Sequence, residues 1–453
     1  MSDPGTGKTR AHLEAFANTR RNGGGPALVF APKSILQPAW GDDIEKFTPH
    51  LRYSIATASN RQKAFSVDAD IYITNHDAAK WLQDHPEHLK RFNLQNSTLI
   101  VDESTAFKHS TSQRSKALRF VAQHFIIRRL LTGTPNPNTV LDLWHQGMLL
   151  DDGYRLGNSF FKFRANVCAP VQIGPSVDMI RWEDKPGAEL AVAQLLADIT
   201  LRHKLEECTS IPPNHITYIQ TNLSPAHRKA YDQLAKQAIL AHADGDITSF
   251  NAGVLKMKLL QLCSGAIYDG EKTTHLLDTD RYNLVLDLVE ARKHCLVAFN
   301  WRHQREQLVK LADNRGISFA VIDGSIPDKE RIQTVAAFQA GELKVIFAHP
   351  ASAAHGLTLT RGTTTIWASP VHDAEKFVQF NHRIYRTSQT EKTETILIAA
   401  RDTLEPQVYA DNLNPKLNKM TSLLDMLQTK TKVHIPTTLS IGIDRILAEE
   451  AAA

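Results

Sequence analysis

Short apolar runs of four to six residues constrain this 453-residue chain more than any other feature. In the first third they read ALVFA (27–31), IYIT (71–74), TLIV (98–101) and IIRRLL (126–131). After a less regular middle they return as CLVAF (295–299), FAVI (319–322), KVIFA (344–348), TIWA (365–368) and TILIAA (395–400). Each is rich in branched residues and bounded by turn formers, and longer polar stretches with helical periodicity separate them. Strands that are apolar on both faces belong to parallel sheets covered by helices on both sides. The pattern predicts an α/β protein with two lobes.

The middle, roughly 140–265, reads instead as helical insertions, with apolar spacing in GAELAVAQLLADI (187–199) and PAHRKAYDQLAKQAILAHA (225–243). A strand signal, HITYIQTNL (215–223), follows the break at Ile211-Pro212-Pro213. The expected division is a first lobe over 1–210, with a helical insertion at about 140–200. The second lobe covers 211–453, with a helical insertion at about 224–265 and a closing helix at about 403–428, where PKLNKMTSLLDMLQ is amphipathic.

Composition narrows the class further. A net charge of +4 and a pI near 8.7 permit a polyanionic partner without requiring one. The four cysteines, Cys168, Cys208, Cys263 and Cys295, form no CxxC pair, so a disulfide framework or zinc ribbon is not expected. No apolar run reaches bilayer length, and no charged-then-apolar leader opens the chain. The expectation is a soluble protein of a reducing cytoplasm.

Near its start the chain carries Gly5-Thr6-Gly7-Lys8-Thr9. Glycines there let backbone N–H groups close around phosphate oxygens, Lys8 would reach the β and γ phosphates, and the Thr9 hydroxyl would ligate Mg²⁺. A helical stretch follows, with its positive end toward the phosphates. Ser2 stands where the strict motif has its first glycine. In TLIVDEST (98–105) a buried strand ends in Asp102-Glu103. Asp102 would hold Mg²⁺ and Glu103 would orient or deprotonate water; the plain alternative is an acidic pair capping a strand. LLTGTPNPN (130–138) adds Thr132, Gly133 and Thr134 after another strand. QFNHRIYRTSQ (379–389) places Gln379, Arg383 and Arg386 on one predicted helical stretch, either a solvated basic face or a source of arginines for the same phosphate.

Taken in order, GTGKT, FAPKSILQPAW, ITNHD, VDES, LTGTP, LVAFNWRHQRE, HGLTLT and QFNHRIYRTSQ resemble the motifs of superfamily two helicases, most of all the Swi/Snf-type branch and its compact phage and bacterial members. TLRHKLEECTSIPPNHITYIQTNLSPAHRKAYDQL (200–234) resembles that branch's link between lobes, and the likeness covers nearly the whole chain. The resemblance implies two RecA-like lobes, ATP with Mg²⁺ as cofactor, and double-stranded DNA as partner. It implies a motor that couples hydrolysis to movement along the duplex, acting as a monomer. It assigns phosphate and Mg²⁺ contacts to Gly5, Thr6, Gly7, Lys8, Thr9, Asp102 and Glu103. It gives finger roles to Arg383 and Arg386, a cleft role to Gln379, and a coupling role to Gly356. A motor indifferent to sequence contacts mainly phosphates. The candidates, at carboxyl ends of predicted strands, are Lys33, Ser34, Thr74, Asn75, His76, Thr132, Gly133, Trp301, Ser352 and His355.

The chain departs from the branch in three places. The strand and adenine-gripping segment ahead of the phosphate loop are not seen, so the sequence reads as N-terminally truncated and its loop as poorly anchored. Ser104 and Thr105 follow the acids where the branch has glycine and histidine. HPASAAHGLTLT (349–360) replaces an arginine- and glycine-bearing approach. Two other readings stand beside the translocase. One is a strand-separating helicase, ranked second because no separation hairpin is evident. The other is a non-hydrolysing DNA-binding protein that keeps the fold.

Overall fold

The computed structural model describes residues 1–135, 138–173, 179–243, 249–268, 273–353 and 357–429. They pack as two units: Met1–Thr209 with the chain from Leu417, and Ser210–Lys416.

In the first unit, strands β1 (Ala27–Ala31), β2 (Tyr53–Ala56), β3 (Ile71–Asn75), β4 (Thr98–Asp102) and β5 (Ile127–Leu131) form one parallel sheet, in the order β2-β3-β1-β4-β5. All five residues of β1 are buried. Leu28 and Phe30 enter one core with Tyr72, Leu99 and Val101. Val29 and Ala31 enter the opposite core with Ile73 and Ile100. The two-residue period of a strand sends alternate side chains to opposite faces, so a run apolar at every position needs cover on both. The helix Lys8–Arg21 supplies part of that cover with Leu13, Phe16 and Ala17, spaced three and four apart. Each fully buried aliphatic or aromatic chain contributes about 1.5–3 kcal/mol. Strand β2 (YSIA) has no counterpart among the runs read from sequence, because Ser54 interrupts its apolar residues.

Strand β5 lies at the edge of this sheet, pairing with β4 alone. Beside it lies a cavity of about 460 Å³, lined by Met1, Ala11, Ala15, Leu143 and Leu196 among others.

The expected helical insertion holds three helices, Trp144–Asp151, Phe160–Val167 and Ala188–Leu196. It also holds an antiparallel pair, β6 (Cys168–Gln172) with β7 (Ile180–Asp184), which the strand runs read from sequence did not include. Pro170 stands within β6 and polar residues punctuate β7, so neither short, partly exposed strand makes a continuous apolar run.

The closing helix runs Asn414–Thr429. Leu423 and Leu427 pack with Val140, Leu143, Trp144 and Leu196, and Lys419 pairs with Asp184. This part of the helix therefore belongs with the first unit, not with the second lobe where sequence order placed it. Its apolar face completes the core of the insertion, and packing is indifferent to distance along the chain.

The second unit has a six-stranded parallel sheet. Strands β8 (Asn214–Thr221), β11 (Cys295–Ala298), β12 (Phe319–Ile322), β13 (Val345–Ala348), β14 (Thr364–Trp367) and β15 (Thr393–Ala400) take the order β12-β13-β11-β14-β15-β8. A small hairpin, β9 (Ala266–Tyr268) with β10 (Thr274–Leu276), precedes them in sequence after the helices Pro225–Ala243 and Ser249–Cys263. Strand β8, read as HITYIQTNL, becomes an edge strand paired with β15 over eight residues. Val297, Phe347, Ile366 and Ile396 form the core with Tyr282, Val285 and Leu308. Arg281 and Glu405 make a buried bidentate pair at 2.7 and 2.6 Å. Glu405 also accepts the Ala400 N–H at 2.7 Å. Among the described residues no helix is long and apolar enough to cross a membrane.

Candidate nucleotide site

The carboxyl ends of the first sheet's strands gather the residues singled out from sequence. Gly5 (φ 87°) and Gly7 (φ 76°) are left-handed, the conformation glycine adopts without steric cost, and Gly7 turns the chain into the helix that begins at Lys8. A Cβ on Gly7 would meet nothing within 4 Å, so the glycine serves backbone conformation there, not close packing.

The loop is anchored, contrary to the expectation from the missing strand. Ser2 N–H donates to Thr132 O at 3.1 Å, and Asp3 N–H donates to His203 O at 3.1 Å. The Asp3 carboxylate pairs with Arg202 at 2.8 Å and accepts Leu205 N–H at 3.0 Å. Thr6 Oγ1 donates to Asp3 O at 2.8 Å. Lys8 Nζ turns back onto the loop and donates to Ser2 O at 2.8 Å and Asp3 O at 3.0 Å. Thr9 sits half-buried in the first turn of the helix.

Asp102 closes β4 and is 6% exposed. Its Oδ2 accepts Trp40 Nε1 at 3.0 Å and its Oδ1 accepts Glu103 N–H at 3.0 Å. Burial pushes its carboxyl up, while the Lys8 charge and these two hydrogen bonds pull it down. Glu103 occupies the left-handed region at φ 50°, ψ 56°. A non-glycine residue held there costs about 1–3 kcal/mol, so its neighbours must hold it. His76 Nε2 meets Asp102 O at 2.8 Å, and burial pushes that imidazole down to about 4. Ser104 Oγ donates to Gln146 Oε1 at 2.8 Å, while Gln146 Nε2 donates to Pro135 O and Asp142 O, both at 2.9 Å. Ser104 thus ties the acid pair to the loop after β5.

The donor set fits a metal–polyphosphate. A carboxylate, a hydroxyl at a helix start and a primary amine are the hard-oxygen and cationic groups such a ligand takes. Asp102 and Thr9 are the residues that would hold Mg²⁺.

Other expected contacts fall differently. Lys33 is exposed and Ser34 half-buried after β1. Asn75 Oδ1 accepts Arg61 at 2.8 Å at the end of β3. Thr74 is fully buried and donates to Ala56 O, His76 is 8% exposed, and Thr132 is 1% exposed. A Cβ on Gly133 would lie 3.0 Å from Pro4. Thr74, His76, Thr132 and Gly133 are therefore interior or back the phosphate loop.

In the second unit the helix carrying Gln379 ends at Asn381, so Arg383 and Arg386 sit on the following turns and not on one helical face. Arg383 is 3% exposed and donates to Gln379 O at 2.7 Å and Leu357 O at 3.1 Å. Arg386 donates to His382 O at 2.8 Å and Thr358 Oγ1 at 2.9 Å. Gln379 is 2% exposed and donates to Glu375. Trp301 is half-buried ahead of the helix Arg302–Asn314, its N–H donating to Gln304 Oε1 at 3.2 Å. Ser352 is half-buried in a short helix. His355 and Gly356 lie outside the described residues.

Three residues that hold the acid pair escaped the motif reading: Trp40, Gln146 and the inward role of His76. Trp40 closes FAPKSILQPAW, but nothing local says that its ring nitrogen reaches a carboxylate 62 residues away. Gln146 lies in a helix buried through most of its length and carries no motif.

Residues 1–264 match the SNF2-related domain model, and residues 280–388 match the helicase conserved C-terminal domain. The chain is 31% identical over 448 residues to putative protein p41 of Acyrthosiphon pisum secondary endosymbiont phage 1, covering 94% of each. It is 23% identical to the chromodomain-helicase-DNA-binding protein 1-like of Danio rerio, covering 99% of this chain but only 45% of that protein. A solved structure, the Sulfolobus solfataricus SWI2/SNF2 ATPase core in complex with dsDNA, matches at 20% identity and a TM-score of 0.41, over 96% of this chain and 92% of that one.

Proposed function

The chain belongs to the SNF2-related family, and from that premise we propose that it hydrolyses ATP to move along double-stranded DNA. What carries the reading is one arrangement: Lys8 on a left-handed glycine loop whose charge acts on Asp102, next to a Glu103 held in a strained backbone. Mg²⁺, when bound, neutralises phosphate charge, and Thr9 and Asp102 would hold it. Gly5, Thr6 and Gly7 cradle the phosphates, and Lys8 stabilises their charge. Glu103 orients water and accepts its proton. Arg383 and Arg386 supply the positive charge that phosphoryl transfer demands, with Gln379 holding Arg383 through its carbonyl. Duplex phosphates are met by Lys33, Ser34 and Asn75 and by Trp301 and Ser352. A monomer working in the cytoplasm is part of the same reading.

The test is steady-state ATP hydrolysis without DNA, with single-stranded DNA and with blunt duplex, alongside Lys8→Ala. Turnover raised mainly by duplex and abolished in the mutant supports the motor. Activity independent of DNA, or retained in Lys8→Ala, refutes it. The exposed β6–β7 hairpin favours a second reading, a strand-separating helicase. Displacement of one labelled strand from a forked duplex, lost on shortening the hairpin, would select that reading over the translocase.

A further inference from the structure

We propose that His76 is the positioning residue that sets the direction of Glu103, linking the loop after β3 to the acid pair. The inference rests on the ATPase reading above. In the sheet order, β1 lies between β3 and β4, so His76 reaches from the end of β3 past the end of β1 to the end of β4. Its Nε2 lies 2.8 Å from Asp102 O. A carbonyl oxygen can only accept, so Nε2 carries the hydrogen and the ring donates. That carbonyl belongs to the peptide joining Asp102 to Glu103, the residue at φ 50°, ψ 56°. Losing the bond frees this peptide to rotate toward an ordinary backbone conformation, carrying the Glu103 carboxylate away.

The ring itself is fixed. It packs edge-on against Phe107, with centroids 5.0 Å apart, and it is 8% exposed. Phe107 is fully buried, and its carbonyl accepts Ser115 Oγ at 3.1 Å. The residue before His76 is Asn75, one of the proposed duplex contacts. A phosphate contact that shifts Asn75 therefore moves the donor bonded to the catalytic peptide. Trp40 and Gln146 hold the Asp102 carboxylate and Ser104, the N–H of the intervening peptide bonds Asp102 Oδ1 at 3.0 Å, and His76 holds that peptide at its carbonyl.

The experiment compares His76→Phe, which keeps a ring without a donor, with His76→Gln, which keeps a donor at similar reach. His76→Asn, too short to reach, takes the place of His76→Phe should the latter fail to fold. Duplex-stimulated kcat and KM for ATP are measured with hydrogen–deuterium exchange of the 98–107 segment without nucleotide. The expected result is a kcat at least about tenfold lower in His76→Phe with KM within about twofold, restored to within about threefold in His76→Gln. Exchange after Asp102 is faster in His76→Phe and returns in His76→Gln. Unchanged kcat, equal damage in Phe and Gln, or a rise in KM alone overturns the proposal. Should the wild type hydrolyse nothing under any condition, the ATPase reading falls. Exchange then decides the clamp alone: rescue by Gln upholds it, and unchanged exchange in His76→Phe or Asn overturns it.

Discussion

Trp40 donates its indole N–H to Asp102 Oδ2 at 3.0 Å, across 62 residues, with the Trp40 side chain fully buried. The bond joins the helical turn after β1 to the end of β4. It satisfies one oxygen of a carboxylate that has lost its solvent. A buried acceptor deprived of its donor costs about 1–3 kcal/mol. Trp40→Phe is expected to lower stability by that amount in urea denaturation. It should also raise the Mg²⁺ concentration needed for half-maximal ATP hydrolysis, because Asp102 is then free to turn from its ligand direction.

Lys8 Nζ donates to two loop carbonyls, at 2.8 and 3.0 Å, and Lys8 is half-buried. Lys8→Ala should leave the thermal midpoint within a few degrees of wild type. Its loss should cut ATP turnover on the order of 100-fold or more, as expected where one preorganised charge facing the reacting group is removed. Calorimetry and a phosphate-release assay on the same preparation separate the two effects.

Arg281 and Glu405 are 7% and 0% exposed and bond through both oxygens. Removing one partner strands the other charge inside the second unit. Arg281→Met is expected to destabilise that unit by about 3–5 kcal/mol. The double change Arg281→Met with Glu405→Leu should cost clearly less, although it also removes the acceptor of Ala400 N–H. Urea midpoints of the three proteins check the order.

His303 is fully buried between Ser264 Oγ at 2.7 Å and Tyr268 OH at 2.9 Å. Burial, with a smaller push from the Arg281 charge, lowers its pKa from 6.5 to about 4. The unfolded chain therefore binds the extra proton between those values. The stability it contributes is full above about pH 6.5, falls as pH drops, and is gone below about pH 4. The whole loss is about 3 kcal/mol. His303→Gln should flatten that part of the profile, read from denaturation midpoints at pH 7 and 4.5.

Much of the fold was legible along the chain. Runs such as KVIFA (344–348) and ALVFA (27–31) mark strands, because a strand buried on both faces must be apolar at every position. The helix over 225–243 matches its predicted span for the same local reason, a sustained apolar periodicity. Strands β2 (YSIA), β6 (CAPVQ) and β7 (IRWED) carry polar residues or proline and so made no continuous apolar run.

The sequence by itself determined the two α/β units, the glycine loop before Lys8 and the placing of Asp102-Glu103 at a strand's end. Each of these rests on local sterics or a short-range apolar period. Tertiary structure alone decided that the closing helix packs on the first unit, that Thr132 and Gly133 back the phosphate loop, and that His76, Trp40 and Gln146 hold the acid pair. Those relationships join residues tens to hundreds of positions apart. A hydrogen bond of 3 Å between them depends on where the whole sheet sets its strand ends, and no local pattern encodes that.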